Sequence, residues 1–138
     1  MTIEEVENKI IEEFSYFDDW MDKYAYIIDL GKTAPIIDEE YRKDEYLIEG
    51  CQSKVWLQAN YNDGKLYFKA DSDAIITKGI IFLLIRVLSE RTPQEILDAK
   101  LDFINQIGLT SHLTPTRSNG LLSMIKKIKC YALTYQNQ

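Results

Sequence analysis

Histidine, cysteine and proline are scarce in this chain of 138 residues, which holds one His, two Cys and three Pro. Two cysteines, Cys51 and Cys130, cannot build a disulfide framework. With His112 they leave little material for a metal site, and no Cys-x-x-Cys or His-x-x-x-His spacing supports one. We expect no metal and no cofactor. Long hydrophobic runs are missing as well. The most apolar stretch, residues 74–88, is broken by Thr77, Lys78 and Arg86, short of the roughly 18–20 residues of a membrane helix. Glu4 and Glu5 make the start of the chain acidic, unlike a secretory signal or a transit peptide. The expectation is a cytoplasmic address, reduced thiols and no membrane partner. A basic excess is also absent, with a net charge of −6, which argues against a nucleic-acid partner.

What is present describes a folded domain. Hydrophobic residues make up 46% and charged residues 28%, a globular composition. At this length one domain over residues 1–138 is expected, burying about two-thirds of its unfolded surface. The charge is unevenly placed. Residues 1–50 hold fifteen acids and five bases, whereas residues 103–138 hold no acid and four bases: Arg117, Lys126, Lys127 and Lys129. Either an acidic solvated face lies beside a basic helix, or the asymmetry steers a protein partner.

Helical periodicity comes first along the chain. Thr2 and Glu5 form a capping box before a stripe of Ile3, Val6, Ile10, Ile11 and Phe14. A second helix is predicted from near Ser15 or Asp18, burying Trp20, Met21, Tyr24, Ile27 and Ile28 and ending just before Gly31. Residues 32–49, around Pro35, read as loop. Residues 54–61 and 66–70 alternate on either side of Asn62-Asp63-Gly64, a hairpin signal, and residues 45–49 could add an edge strand. A long helix from near Ser72 or Asp73 to Ser89 is apolar nearly all round, so it must be central. Thr92-Pro93-Gln94-Glu95 opens a short helix, and Gly108 ends another. The last helix starts near Thr116, with Leu121, Ile125, Ile128 and Ala132 inside. The fold class is α+β: a small antiparallel sheet covered by several helices.

Four places could carry chemistry. Cys51 follows Gly50 and precedes Gln52 and Ser53, in a loop at the start of a strand. Such a cysteine is either presented to react or buried and inert. Cys130 falls nearly opposite the last helix's inner face, among Lys126 and Lys127. His112 lies in the loop before that helix; paired with Cys51 it would make a thiol hydrolase or oxidoreductase. Arg117, in the helix's first turn, opposes the helix dipole, which suggests an acidic partner in this chain or another.

Several stretches together resemble the SufE family, the sulfur-acceptor proteins of the SUF iron–sulfur assembly system. They are residues 48–56 (Ile-Glu-Gly-Cys-Gln-Ser-Lys-Val-Trp), residues 70–74 leading into Lys78-Gly79, residues 92–96, and residues 112–121 (His-Leu-Thr-Pro-Thr-Arg-Ser-Asn-Gly-Leu). Their order and spacing span nearly the whole chain. The resemblance implies an α+β fold similar to the scaffold protein IscU. It implies that Cys51 accepts persulfide sulfur from a SufS-type cysteine desulfurase, stimulates that pyridoxal-phosphate enzyme, and delivers sulfur to the SufBCD scaffold. The chain would then be a carrier without turnover of its own. Gly50, Gln52 and Ser53 would support the reactive loop. Asp73, Arg117 and His112 match positions near the loop or the docking surface. Cys130 lies outside the family pattern, and the oligomeric state, a homodimer included, stays open.

Overall fold

The computed structural model describes residues 1–34 and 36–136; Pro35, around which the sequence predicts a loop, lies outside the described residues. Among the described residues, six α-helices surround a two-stranded antiparallel sheet, an α+β fold. Helix α1 spans Ile3–Ser15 and opens on the predicted capping box, with Glu5 N–H donating to Thr2 Oγ1 at 3.1 Å and Thr2 N–H to Glu5 Oε1 at 3.2 Å. Val6, Ile10 and Phe14 form its buried face.

Helix α2 spans Trp20–Thr33, starting later than predicted because Asp19 is the cap that accepts from Asp22 N–H at 2.9 Å. Gly31 does not follow this helix but lies buried inside it. A Cβ there would stand 3.1 Å from the backbone nitrogen of Gly79. Its absence therefore serves helix packing, not helix termination.

Two single turns, Glu39–Tyr41 and Asp44–Tyr46, interrupt the polar stretch that follows. Strands β1 (Val55–Asn62) and β2 (Lys65–Ser72) pair from Val55↔Ser72 to Asn62↔Lys65. Asp63 and Gly64 between them both take positive φ, 53° and 81°, which matches the twist of the flanking strands. The predicted third strand over residues 45–49 shrinks to one bridge, Leu47↔Trp56, because the turn over Asp44–Tyr46 uses up the chain before it.

Short contacts occupy the ribbon's outer edges. On β2, Leu66 N–H donates to Arg91 O at 2.8 Å, Glu90 N–H to Leu66 O at 2.7 Å, Phe68 N–H to Ser89 Oγ at 3.0 Å, and Ile37 N–H to Ala70 O at 3.2 Å. On β1, Ile48 N–H donates to Val55 O at 2.9 Å and the Tyr131 hydroxyl to Leu57 O at 3.1 Å.

Helix α3 (Ile75–Leu88) is the central element predicted, packed against α1, α2, α6 and β2. Every residue from Gly79 to Leu84 is buried. Arg86, near its end, forms a two-pronged ion pair with Glu13 of α1, at 2.8 and 2.6 Å, and Tyr26 of α2 donates to the same carboxylate. Helix α4 (Pro93–Asp98) opens on the Thr92–Glu95 capping box, and α5 (Phe103–Gln106) precedes Gly108.

Helix α6 (Pro115–Tyr135) is capped by Thr114, with Pro115 in its first turn. Its buried stripe is Leu121, Met124, Ile128 and Ala132; Ile125 is only half-buried. Leu121, Ile128 and Ala132 are buried as predicted, and Met124 takes the place of Ile125 where α6 packs against α4 and α3. Lys129 Nζ seals the end of α4, donating to Ala99 O at 2.8 Å, the favourable end for a cation. No helix is long and apolar enough to cross a membrane among the described residues.

Candidate functional site

The loop carrying Cys51 is pinned at both ends. Ile48 N–H bonds to Val55 O, closing residues 49–54 into a loop. Lys54 is fastened to the end of β2: its N–H donates to Asp73 Oδ1 at 3.0 Å, and its carbonyl accepts from the Ser72 hydroxyl at 2.7 Å. Asp73 thus sits at the loop's base, exposed, and does not line the space around the thiol.

Gly50 takes φ 91°, a conformation a side chain resists. A Cβ on Gly50 would also collide with the Ser123 hydroxyl of α6. The next residue, Cys51, lies over Gly120 of the same helix, its Sγ 3.6 Å from the Gly120 carbonyl oxygen that accepts from it. The thiol is half-buried and free. Burial pushes its pKa above the ordinary thiol value, and no neighbouring charge offsets that effect.

Beneath the loop is a cavity of about 80 Å³. Cys51, Gln52 and Ser53 form its lid, Thr77 and Ile80 of α3 one wall, and Thr116, Arg117, Gly120 and Met124 of α6 the other. Arg117 is exposed at this cavity and makes no salt bridge among the described residues.

His112 is placed elsewhere. Its ring stacks on Trp20 with centroids 4.0 Å apart, its Nδ1 lies 2.9 Å from Gly108 O, and its carbonyl accepts from the Tyr24 hydroxyl. It does not line the cavity and makes no bond to Cys51 among the described residues. A Cys–His pair is therefore not formed: the histidine holds the start of α2 against the chain leading into α6. Cys130 is exposed on α6, ten residues past Gly120, about 15 Å along the axis.

Among the described residues no cluster of three or more His, Cys, Asp or Glu is arranged to hold a metal ion. A larger cleft of about 810 Å³ lies between α1 and residues 95–106, lined by Glu4, Glu7, Glu95, Asp98 and Asp102. It contains none of the candidate nucleophiles.

The family model described as "Fe-S metabolism associated domain", SufE, matches residues 8–132. The chain belongs to the SufE family. An uncharacterised SufE-like protein of Rhizobium meliloti (strain 1021) is 40% identical over 131 residues, covering 91% of this chain and 93% of that protein. A second, from Rhizobium etli, is 39% identical over 128 residues, covering 88% and 86%. The solution structure of a hypothetical protein from Thermus thermophilus superposes with a TM-score of 0.79 at 17% identity, over 96% of this chain and 97% of that one. That likeness establishes the fold. Membership of the family supports involvement in iron–sulfur metabolism.

Of the sequence-predicted residues, the structure brings Cys51, Gln52, Ser53 and Arg117 to one cavity, with Gly50 behind them. Gly120 was read only as part of the stretch 112–121, and Ser123, Thr77 and Met124 were not read as site residues. Helical spacing places Arg117, Gly120 and Met124 on one face, a signal that could have found two of them. Nothing in the sequence announces that α3 forms the facing wall.

Proposed function

We propose that this SufE-family protein is a sulfur acceptor and carrier for iron–sulfur assembly. The single observation that supports it best is the half-buried free thiol of Cys51, poised on a pinned loop above a small cavity. In the proposed step, the Cys51 thiolate attacks the outer sulfur of a cysteine persulfide on a SufS-type desulfurase. The donor's S–S bond breaks and its cysteine leaves as a thiolate, while a new S–S bond forms on Cys51. One proton leaves the Cys51 thiol and one can return to the donor, so no outside oxidant or reductant is needed.

The waiting state and the reacting state then differ. Tucked over Gly120, the thiol is kept protonated by burial and is a poor nucleophile. Swung outward about Gly50, it would recover the ordinary acidity of an exposed thiol. Removal of the product would stimulate the desulfurase, and the sulfur would pass on to the SufBCD scaffold in the cytoplasm. Arg117 and Asp73, exposed on either side of the loop, are the residues we assign to partner contact.

The test is direct. Incubation with a SufS-type desulfurase and cysteine, followed by peptide mass spectrometry without reductant, should add sulfur to the Cys51 peptide and not to that of Cys51→Ser. An active desulfurase that leaves Cys51 unmodified would remove the acceptor claim for that donor.

A further inference from the structure

The Cys51 cavity holds a polar group that the proposed transfer step leaves unused. Thr77, in the first turn of α3, is 9% exposed and lines the cavity. A threonine in a helix ordinarily returns its hydroxyl to a carbonyl of the preceding turn, as Thr33 does to Asp29 O in α2. Thr77 makes no such bond and has no other side-chain hydrogen bond among the described residues. Nor is its oxygen sealed in protein. Arg42 Nε is the side-chain polar atom that is shut off from solvent without a hydrogen-bond partner among the described residues. The Thr77 oxygen is therefore not fully enclosed, and the cavity that Thr77 lines is the one under Cys51.

We infer that Thr77 is the positioning residue for a loaded Cys51, donating its hydroxyl hydrogen to the outer sulfur of the persulfide. This rests on the carrier reading. The outer sulfur adds one atom about 2.05 Å beyond Sγ. A cavity of about 80 Å³ exceeds several-fold the roughly 10–15 Å³ that admits a water molecule, so one sulfur fits.

Polarity then decides where it turns. Gly120 offers a carbonyl oxygen, which accepts from the free thiol but repels an anionic sulfur. Ile80 and Met124 are apolar and satisfy neither state. Gln52, Thr116 and Arg117 also carry donors but are exposed, and Ser53 is half-buried. Among the buried lining residues Thr77 alone can rotate a side-chain donor into the space, since χ1 of a helical threonine has two accessible wells. Loading would thus exchange an acceptor contact at Gly120 for a donor contact at Thr77. The free thiol and the persulfide would have different anchors in one cavity.

The experiment uses the full chain carrying Cys130→Ser, so that Cys51 is the sole thiol. Methyl methanethiosulfonate converts Cys51 to its methyl disulfide, releasing methanesulfinate. Hydrosulfide then displaces methanethiolate and leaves the persulfide, with no desulfurase involved. The pH dependence of alkylation by iodoacetamide, read as the mass of the Cys51 peptide, is measured in this parent, in Thr77→Val and in Thr77→Ser. The expected result is an upward shift of the persulfide midpoint by about one pH unit in Thr77→Val, with Thr77→Ser close to the parent. The unloaded thiol, anchored on Gly120, should keep its profile in all three. Superimposed persulfide profiles for Thr77→Val and parent would overturn the inference. An equal shift in Thr77→Ser would also overturn it, because the methyl group and not the hydroxyl would then be responsible. The desulfurase experiment stands apart. Sulfur on Cys51 without a Thr77 effect would leave the carrier reading intact, and a Thr77 effect without enzymatic loading would do the reverse.

Discussion

The seam between α2 and α3 and the Cys51 loop both press a glycine against a neighbour, but different things press back. At the seam, a Cβ on Gly79 would run into the Ile27 carbonyl, with its carbon 2.7 Å away. That obstacle is main chain held in a helix on both sides, and it cannot give. At the loop, a Cβ on Gly50 would meet only the Ser123 side chain, whose Cβ lies 3.2 Å off. A serine hydroxyl can rotate, and Ser123 is only half-buried. The seam is therefore a permanent contact, and the loop a releasable one. The seam fixes α3, and α3 carries Thr77 and Ile80, so a rigid wall faces a movable lid.

Substitutions can break this contrast, and the largest effect belongs to the seam. Gly79→Ala should cost about 3 kcal/mol in urea unfolding, and no change at Ile27 short of moving its backbone should recover it. Gly50→Ala should cost less, about 1–2 kcal/mol, from the positive φ and the contact with Ser123. It should also expose Cys51, speeding its alkylation. Adding Ser123→Ala should return part of that stability and leave the φ strain. Full recovery would mean that the contact alone demands glycine there, and no recovery would mean that the loop is as rigid as the seam.

Acidity sharpens the comparison with smaller effects. Glu13, joined to Arg86 beside the seam, has its carboxyl pKa held below the ordinary value of 4.5 mainly by the Arg86 hydrogen bonds. Its stabilisation is in full force above that value and fades as pH falls through the lowered one. Glu13→Gln should cost about 1 kcal/mol at neutral pH, given the pair's partial exposure, and progressively less in acid. The loop responds at the other end of the scale. The Cys51 pKa is raised by burial, so the tucked thiol is favoured below the ordinary 9.0 and loses that preference as pH rises through the raised value. Alkylation of Cys51 in the folded chain should therefore show a midpoint above that of the same residue in denaturant.

The helices and the hairpin were legible because each is written locally. Thr2 with Glu5, Thr92 with Glu95, and Asp63-Gly64 each specify a boundary within four residues. Gly31 was misread for the same reason. Its local signature is a helix stop, while its cause is Gly79, forty-eight positions away in sequence. The Cys51 loop was legible from Gly50-Cys51-Gln52-Ser53, but that it lids a cavity was not. The walls were not, because Thr77 and Gly120 look like ordinary helix positions until α3 and α6 are set facing one another. His112 shows the opposite limit. Its residue type suggested chemistry, while its stacking on Trp20 depends on tertiary packing that no motif encodes.

A two-stranded ribbon would normally be a hazard to its own cell. Two strands barely hold together alone, and each has an open margin on which another chain can crystallise into a fibre. Here Arg91, Glu90, Ser89 and Ile37 occupy one margin and Ile48 and Tyr131 the other. Fragments too short to be strands act as stoppers, leaving a stray polypeptide little to copy. The protein can thus keep a minimal sheet and a releasable cysteine loop at the end of it without becoming a template for aggregation.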